Sequence, residues 1–319
     1  MSHPVIKIFT PYTAQANNGN WRTATRWARL LRSRYRVIVQ TASESGSHDA
    51  DCLIALHARR SFPAIRDWRE RWPDKPLIVT LTGTDLYRDL PESAEARASL
   101  HAADRLIVLQ EDALRFLPRR ERGKAQVIYQ SAASLRGCEK PRTRFNCILV
   151  GHLRTEKDPL TAMRAWDFLG HEESIYLTHV GAALEKHLAG VALELQGREP
   201  RYRWLGPKPH AWTRQAIKHS HLLIVPSRME GGANVIVEAV TAGTPVVASR
   251  VSGNIGMLGD KFTGYFEVGD SEALAGLLKR YWKNPDTYRD LSQQCRARRP
   301  LFKPEREQAT LFRLIEQLL

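Results

Sequence analysis

The sequence predicts an α/β protein built from two units, each a mostly parallel sheet with helices on both faces. Three observations predict it. Short β-rich runs alternate with helix-like runs from residue 5 to residue 130, the pattern of a parallel sheet with crossover helices. A charged stretch carrying Pro141, residues 139–144, then interrupts the chain, and a second alternating series starts at Phe145. The length of 319 residues suits two domains, at about 150 residues per domain. The expected division is residues 1–140 as an N-terminal Rossmann-like domain and 141–300 as a C-terminal Rossmann-like domain. Residues 301–319 are expected to form a terminal helix placed to pack back on the first.

The first series begins with the strand 5–10 and a Pro- and Gly-bearing loop. A helix over 21–34 follows, with Trp27, Leu30 and Leu31 at helical spacing. Further strands are expected over 36–40, 52–57, 77–82, 105–110 and 126–130, and helices over 62–71, 92–102 and 112–117. Ligands of such sheets bind beyond the carboxyl ends of the strands. That rule selects Asn17, Asn18, Gly19 and Asn20 after the first strand, and His57, Arg59 and Arg60 after the third. It also selects Thr82, Gly83, Thr84 and Asp85 after the fourth, and Gln110 and Glu111 after the fifth. The N-N-G-N loop tolerates left-handed backbone and opens a helix, whose start favours an anion. A plain helix cap explains it equally well. Asp85 can likewise merely cap the segment after it. No GxGxxG fingerprint is present.

In the second series, strands are expected over 145–150, 175–180, 202–205, 222–225, 246–248 and 264–268. A helix-like run to Leu169 follows the loop after the first of them, and Pro285 and Pro300 break the helices near the end. Gly151 opens the first loop, and Arg154 and Lys157 stand in it, two cations beside a helix start and suited to a diphosphate. Gly206 follows a strand, where its backbone can approach a flat base or form an ordinary turn. The segment R-M-E-G-G-A-N-V-I-V-E-A-V-T-A-G, residues 228–243, reads as a tight loop at Gly231 and Gly232 running into a helix. Asn234 and Glu238, four apart, share one helical face beside Val235. Glu230 precedes that helix. Each carboxylate can accept two sugar hydroxyls; alternatively Glu230 caps the helix and Glu238 is a solvated charge.

Lys and Arg total 48 against 34 Asp and Glu, a formal charge of +14. The basic residues are spread along the chain with no Lys/Arg tail, so a nucleic-acid arm has little support. Cys52, Cys138, Cys147 and Cys295 form no CxxC pair, which fits a reducing compartment. The histidines show no HExxH pattern, and His219 and His221 read as structural. No apolar segment reaches membrane-span length and residues 1–7 lack a signal-peptide layout. The expectation is a cytoplasmic protein with no metal, no cofactor and no membrane or nucleic-acid partner.

Glu230-Gly231 through Glu238-Ala239, followed by A-G-T-P-V-V-A at 242–248, resembles the nucleotide-sugar site of family-4 glycosyltransferases. V-G-H-L at 150–153 with E-K-D at 156–158 resembles their diphosphate loop. Ser252, Gly253 and Asn254 lie where that family has a Gly-rich loop near the diphosphate. The resemblance implies the GT-B fold, two Rossmann-like domains facing a central cleft. It implies that Glu238 holds the donor's ribose hydroxyls, Glu230 faces the donor sugar and Lys157 contacts the diphosphate. Where the family has an Arg after the loop glycine, this chain has His152, and Arg154 is the nearest substitute. Where it has a His ahead of Thr84, this chain has Thr82.

More narrowly, T-P-Y-T-A-Q-A-N-N-G-N-W at 10–21 with L-T-G-T-D-L-Y-R-D at 81–89 is similar to the selenosugar synthases of selenoneine biosynthesis. That likeness implies transfer of GlcNAc or glucose from a UDP-sugar to selenophosphate, with a carbon–selenium bond formed. Two other readings stay open: a glycosyltransferase acting on a hydroxyl acceptor, and a basic nucleic-acid-binding protein without enzymatic activity.

Overall fold

The computed structural model describes residues 3–13, 19–42, 49–170 and 174–319. The chain divides into two compact units: Met1–Gln130 with Lys303–Leu319, and Ser131–Phe302.

The first unit holds a sheet of β1 (Val5–Thr10), β2 (Arg36–Thr41), β3 (Cys52–Leu56), β4 (Leu77–Leu81), β5 (Arg105–Val108) and β6 (Ala125–Val127). Their order is β2-β1-β3-β4-β5-β6, and every pairing is parallel. Its helices up to that point are α1 (Gly19–Leu31), α2 (Phe62–Arg71), α3 (Leu90–Glu92), α4 (Ala94–Ala102) and α5 (Arg119–Arg122). Side chains alternate across a strand, and here both faces are buried. Ile6, Ile8, Cys52, Ile54 and Leu56 join one core with Trp27 and Leu31 of α1. Phe9, Leu53, Ala55, Val79 and Leu81 join the other with Ile65 and Trp68 of α2 and Leu100 of α4. Burial on both sides explains the nearly unbroken apolar runs of β3 and β4. From β1 the chain goes first to one side, then crosses to β3 on the other, so the strand order reverses between β1 and β3.

The second unit repeats the plan with β7 (Phe145–Val150), β8 (Ile175–Val180), β9 (Tyr202–Trp204), β10 (Leu222–Val225), β11 (Val246–Ser249) and β12 (Tyr265–Phe266). The order is β12-β11-β10-β7-β8-β9, again all parallel, with the reversal between β7 and β10. The helices are α6 (Pro159–Arg164), α7 (Lys186–Arg198), α8 (His210–His219), α9 (Asn234–Ala242), α10 (Ser252–Leu258), α11 (Ser271–Lys283) and α12 (Pro285–Arg298). The stretch before β7 is tied to this unit: Arg214 Nη2 donates to Ala133 O at 2.6 Å and Leu135 N to Thr241 O at 3.1 Å.

Some helices differ from expectation. Residues 111–116 form a 3₁₀ helix rather than an α-helix, started by the Gln110 side chain, which accepts from Ala113 N, and stopped before Pro118. The run expected to reach Leu169 ends as α-helix at Arg164 and continues as a 3₁₀ turn, Ala165–Phe168. Pro285 breaks α11 from α12 by starting the latter, a position where its missing N–H costs nothing, while Asn284 caps Asp286 N and Thr287 N, both at 3.1 Å. The last helix, α13 (Pro304–Glu316), packs on α1 within the first unit. Its Glu307, 1 % exposed, accepts from Trp27 Nε1 at 2.7 Å and pairs with Arg26 Nε at 3.0 Å. Among the described residues, no helix is long and apolar enough to cross a membrane.

Candidate active site

The reversal between β7 and β10 places two loops side by side at the carboxyl edge of the second sheet, where such sheets bind ligands. The loop after β7 carries Lys157 and the loop after β10 carries Glu230. Lys157 Nζ donates to Glu230 Oε1 at 2.6 Å, and Ser227 Oγ donates to the same oxygen at 2.7 Å. Glu230 is buried, while the Lys157 side chain keeps 21 % of its surface exposed. A third loop, after β11, closes on this pair. A Cβ on Gly253 would fall 1.8 Å from Glu230 O and 2.7 Å from Glu230 Cβ, so only glycine allows α10 to start there. Asn254 is fully buried and donates from Nδ2 to Ser249 O at 2.9 Å. It shapes the turn rather than presenting its amide to solvent. Ser252 stands in the first turn of α10, partly exposed.

Gly231 and Gly232 form a partly exposed bend leading to α9. Asn234 and Val235 open that helix, and no side chain caps it. The partial positive charge of that end favours an anion. Glu230 is engaged by Lys157 and Ser227 and does not act as the cap. Glu238 is not a solvated charge either: it is buried, and its Oε1 accepts from His210 Nε2 at 2.7 Å. His210, at the start of α8, was not apparent from the sequence. Its side chain is 55 % exposed, and the 28-residue separation from Glu238 leaves no local motif. The one signal was its place after β9, at a carboxyl end.

Around the β7 loop the contacts are structural. Gly151 O accepts from His179 Nε2 at 3.1 Å, and His152 Nδ1 accepts from Ala182 N at 3.0 Å. A Cβ on Gly181 would lie 1.9 Å from Gly151 O, which makes Gly181 a second required glycine that sequence reasoning missed. Gly181 N in turn donates to the carbonyl of Gly206, whose φ of +66° favours glycine. Burial holds the His179 imidazole down, with a pKa of about 4, so it sits neutral between Gly151 and Tyr202. Arg154 Nε is 3.9 Å from Glu156 Oε2 and, although buried, has no hydrogen-bond partner. Arg228 pairs with Asp158, whose left-handed φ of +43° turns the loop into α6.

In the first unit the expected residues after β4 are bound to one another. Asp85 is fully buried; its Oδ1 accepts from Thr82 N at 2.9 Å and Gly83 N at 2.8 Å, and its Oδ2 from Ala58 N at 3.0 Å. It therefore joins the β3 and β4 loops rather than facing a ligand. His57 sits beside it with φ of +76°, unusual for a non-glycine residue, and its Nε2 is 3.2 Å from Thr84 Oγ1. Burial lowers its pKa, against the pull of Asp85 and Asp89. Residues 85–89 form a short π-helix that brings Asp89 to Arg59 Nε at 2.8 Å. Gly19 and Asn20 open α1, with no acidic residue in its first turn. Asn17 and Asn18 lie outside the described residues. Among the described residues, no group of three or more His, Cys, Asp or Glu is placed to hold a metal.

The chain resembles solved structures along its whole length. Anabaena HepE in complex with UDP and glucose superposes with a TM-score of 0.77 at 17 % identity, covering 99 % of this chain and 100 % of that one. Sucrose-phosphate synthase from Thermosynechococcus elongatus gives 0.80 at 17 % identity, covering 99 % of each chain. A glycosyltransferase from Rickettsia africae gives 0.74 at 13 % identity, covering 100 % of this chain and 99 % of that one. At these identities the likeness establishes the fold, the two Rossmann-like sheets of the GT-B class. No curated protein matches the sequence. Residues 136–298, just over half of the chain and nearly all of its second unit, match the family described as Glycosyl transferases group 1. The chain therefore belongs to the group 1 glycosyltransferases.

Proposed function

We propose that the protein transfers GlcNAc or glucose from a UDP-sugar to selenophosphate, making a carbon–selenium bond. One observation supports the donor half above all. At the sheet's reversal point, a lysine–carboxylate pair, an uncapped helix start and a buried, His-held carboxylate occur together. The diphosphate would take the α9 amides, Lys157 and Arg154; Lys157 has three donors and spends one on Glu230. Glu238 would accept the ribose hydroxyls, and Glu230 would face the sugar. The similarity to HepE, solved with UDP and glucose and with UDP-glucose, supports a UDP-sugar as the donor.

The acceptor half rests on the resemblance of residues 10–21 and 81–89 to selenosugar synthases. Gly19 and Asn20 at the α1 start would receive the small anion. Selenium attacks the anomeric carbon, the bond from that carbon to the diphosphate oxygen breaks, and UDP leaves with the electron pair. The departing charge falls on Lys157, Arg154 and the α9 amides. A selenium anion is already nucleophilic, so no base is required. Water must afterwards cleave the P–Se bond to release the selenosugar and phosphate. Transfer to a hydroxyl is the second reading; it would need a base to take the hydroxyl proton.

Glu238→Ala tests the donor assignment. Hydrogen bonds to a charged group contribute roughly 1.5–3 kcal/mol, so calorimetry should show UDP-sugar affinity falling at least tenfold. Unchanged affinity would sink the assignment.

A further inference from the structure

Lys7 stands in the middle of β1, on the sheet face that packs against α2, between positions occupied by Val5 and Phe9. A lysine is out of place in such a strand, because burying an ammonium without a partner is costly. Yet Lys7 is 7 % exposed and makes no hydrogen bond or ion pair with any described residue. Its Nζ lies 5.9 Å from the Trp68 ring and 6.0 Å from the Trp72 ring. Those two rings touch, 4.7 Å between centroids, and form one aromatic wall.

The ammonium lines a half-open cavity of about 190 Å³ between β1 and α2, walled also by Phe9, Leu53 and Ala64 and edged by Gln40, Asp67 and Arg71. Among the described residues, the carboxylates beside it are already paired. Arg71 pairs with Asp67 at 3.4 Å, and Asp49 pairs with Lys75 at 2.6 Å. Among the described residues, Lys7 is the lining cation left without a carboxylate partner, and it stands beside the Trp68–Trp72 wall. A space of about 150 Å³ is enough for a benzene ring, so the cleft admits by size a six-membered ring with a small substituent, its face against the two tryptophans.

We propose that this cavity is a second ligand site, independent of the transferase chemistry, for a small monoanion with a flat apolar body. The class is that of aromatic monocarboxylates, with the carboxylate on Lys7 Nζ and the ring against Trp68 and Trp72. Asp67 at the rim disfavours a polyanion such as a phosphate ester, because among the described residues Lys7 is the lining cation without a carboxylate partner. Burial also lowers the Lys7 pKa, against Asp67 and Asp49 and with Arg71, and a bound carboxylate would raise it again.

The test uses the full chain and benzoate as probe, read by tryptophan fluorescence and calorimetry. Benzoate should bind saturably with one-to-one stoichiometry, and inorganic phosphate should not displace it. Lys7→Met removes the charge at similar volume and should weaken benzoate at least tenfold while the protein still unfolds cooperatively. Ala64→Phe fills the cavity from α2 with Lys7 intact and should abolish binding, which keeps the test decisive should Lys7→Met fail to fold. No saturable benzoate binding by the unaltered chain, or unchanged affinity in a folded variant, overturns the proposal.

Discussion

Gly253 has no room for a side chain: a Cβ there would overlap the backbone carbonyl of Glu230 at 1.8 Å. Backbone cannot swing aside as a side-chain tip can, so Gly253→Ala must displace the Glu230 loop. Displacements of about 1 Å can lower rates on the order of 100-fold. Gly253→Ala is therefore expected to lose transfer by about that factor in steady-state kinetics while its circular dichroism stays near that of the parent. Full activity would mean that the Glu230 position is immaterial. The sequence placed Glu230, Lys157 and Glu238 at the carboxyl edge because each follows a strand or opens a helix. It could not show Lys157 bonded to Glu230, or His210 bonded to Glu238, since the partners lie 73 and 28 residues apart. Asp85 was legible as a candidate, but its three backbone donors come from two loops, and only the fold reveals that it is spent on them.

At the level of elements, the loop after β7 depends on a neutral His179 under it. Its imidazole has a pKa of about 4 in the fold, against about 6.5 when unfolded. Above the unfolded value neither state binds the proton and stability is complete. Between 6.5 and 4 the unfolded chain binds it and the fold does not, so stability falls as pH falls, by roughly 3 kcal/mol. Denaturant midpoints should decline over that window, and His179→Asn should flatten the decline; an identical pH profile in the variant would contradict it. The α1–α13 contact makes a second prediction. Glu307→Ala leaves the buried Trp27 indole N–H and Arg26 without their acceptor, a loss of about 2–4 kcal/mol. The unfolding midpoint of the first unit, followed by tryptophan fluorescence, should drop accordingly while donor affinity is kept. The strands were legible throughout, because burial on both faces demands continuous apolar runs, as in L-I-V-T-L of β4. The short helices were less so: residues 111–116 and 165–168 carry helical spacing but too few residues to sustain α-helix.

For the whole molecule, the excess of 48 basic over 34 acidic residues, a formal +14, suits anionic ligands on both units. The fold class was readable from the strand–helix alternation, and the proposed donor side rests on the resemblance carried by residues 150–158 and 230–248. The acceptor side was not readable, since the residues that would receive it lie in short polar loops whose geometry depends on the surrounding fold. Product identity therefore tests the central claim most directly. The protein is incubated with UDP-GlcNAc or UDP-glucose, with and without selenophosphate, and the products are read by mass spectrometry. The account predicts UDP together with a selenium-containing sugar, formed only when selenophosphate is present. UDP release solely with a hydroxyl acceptor, and no sugar bearing selenium, would contradict it.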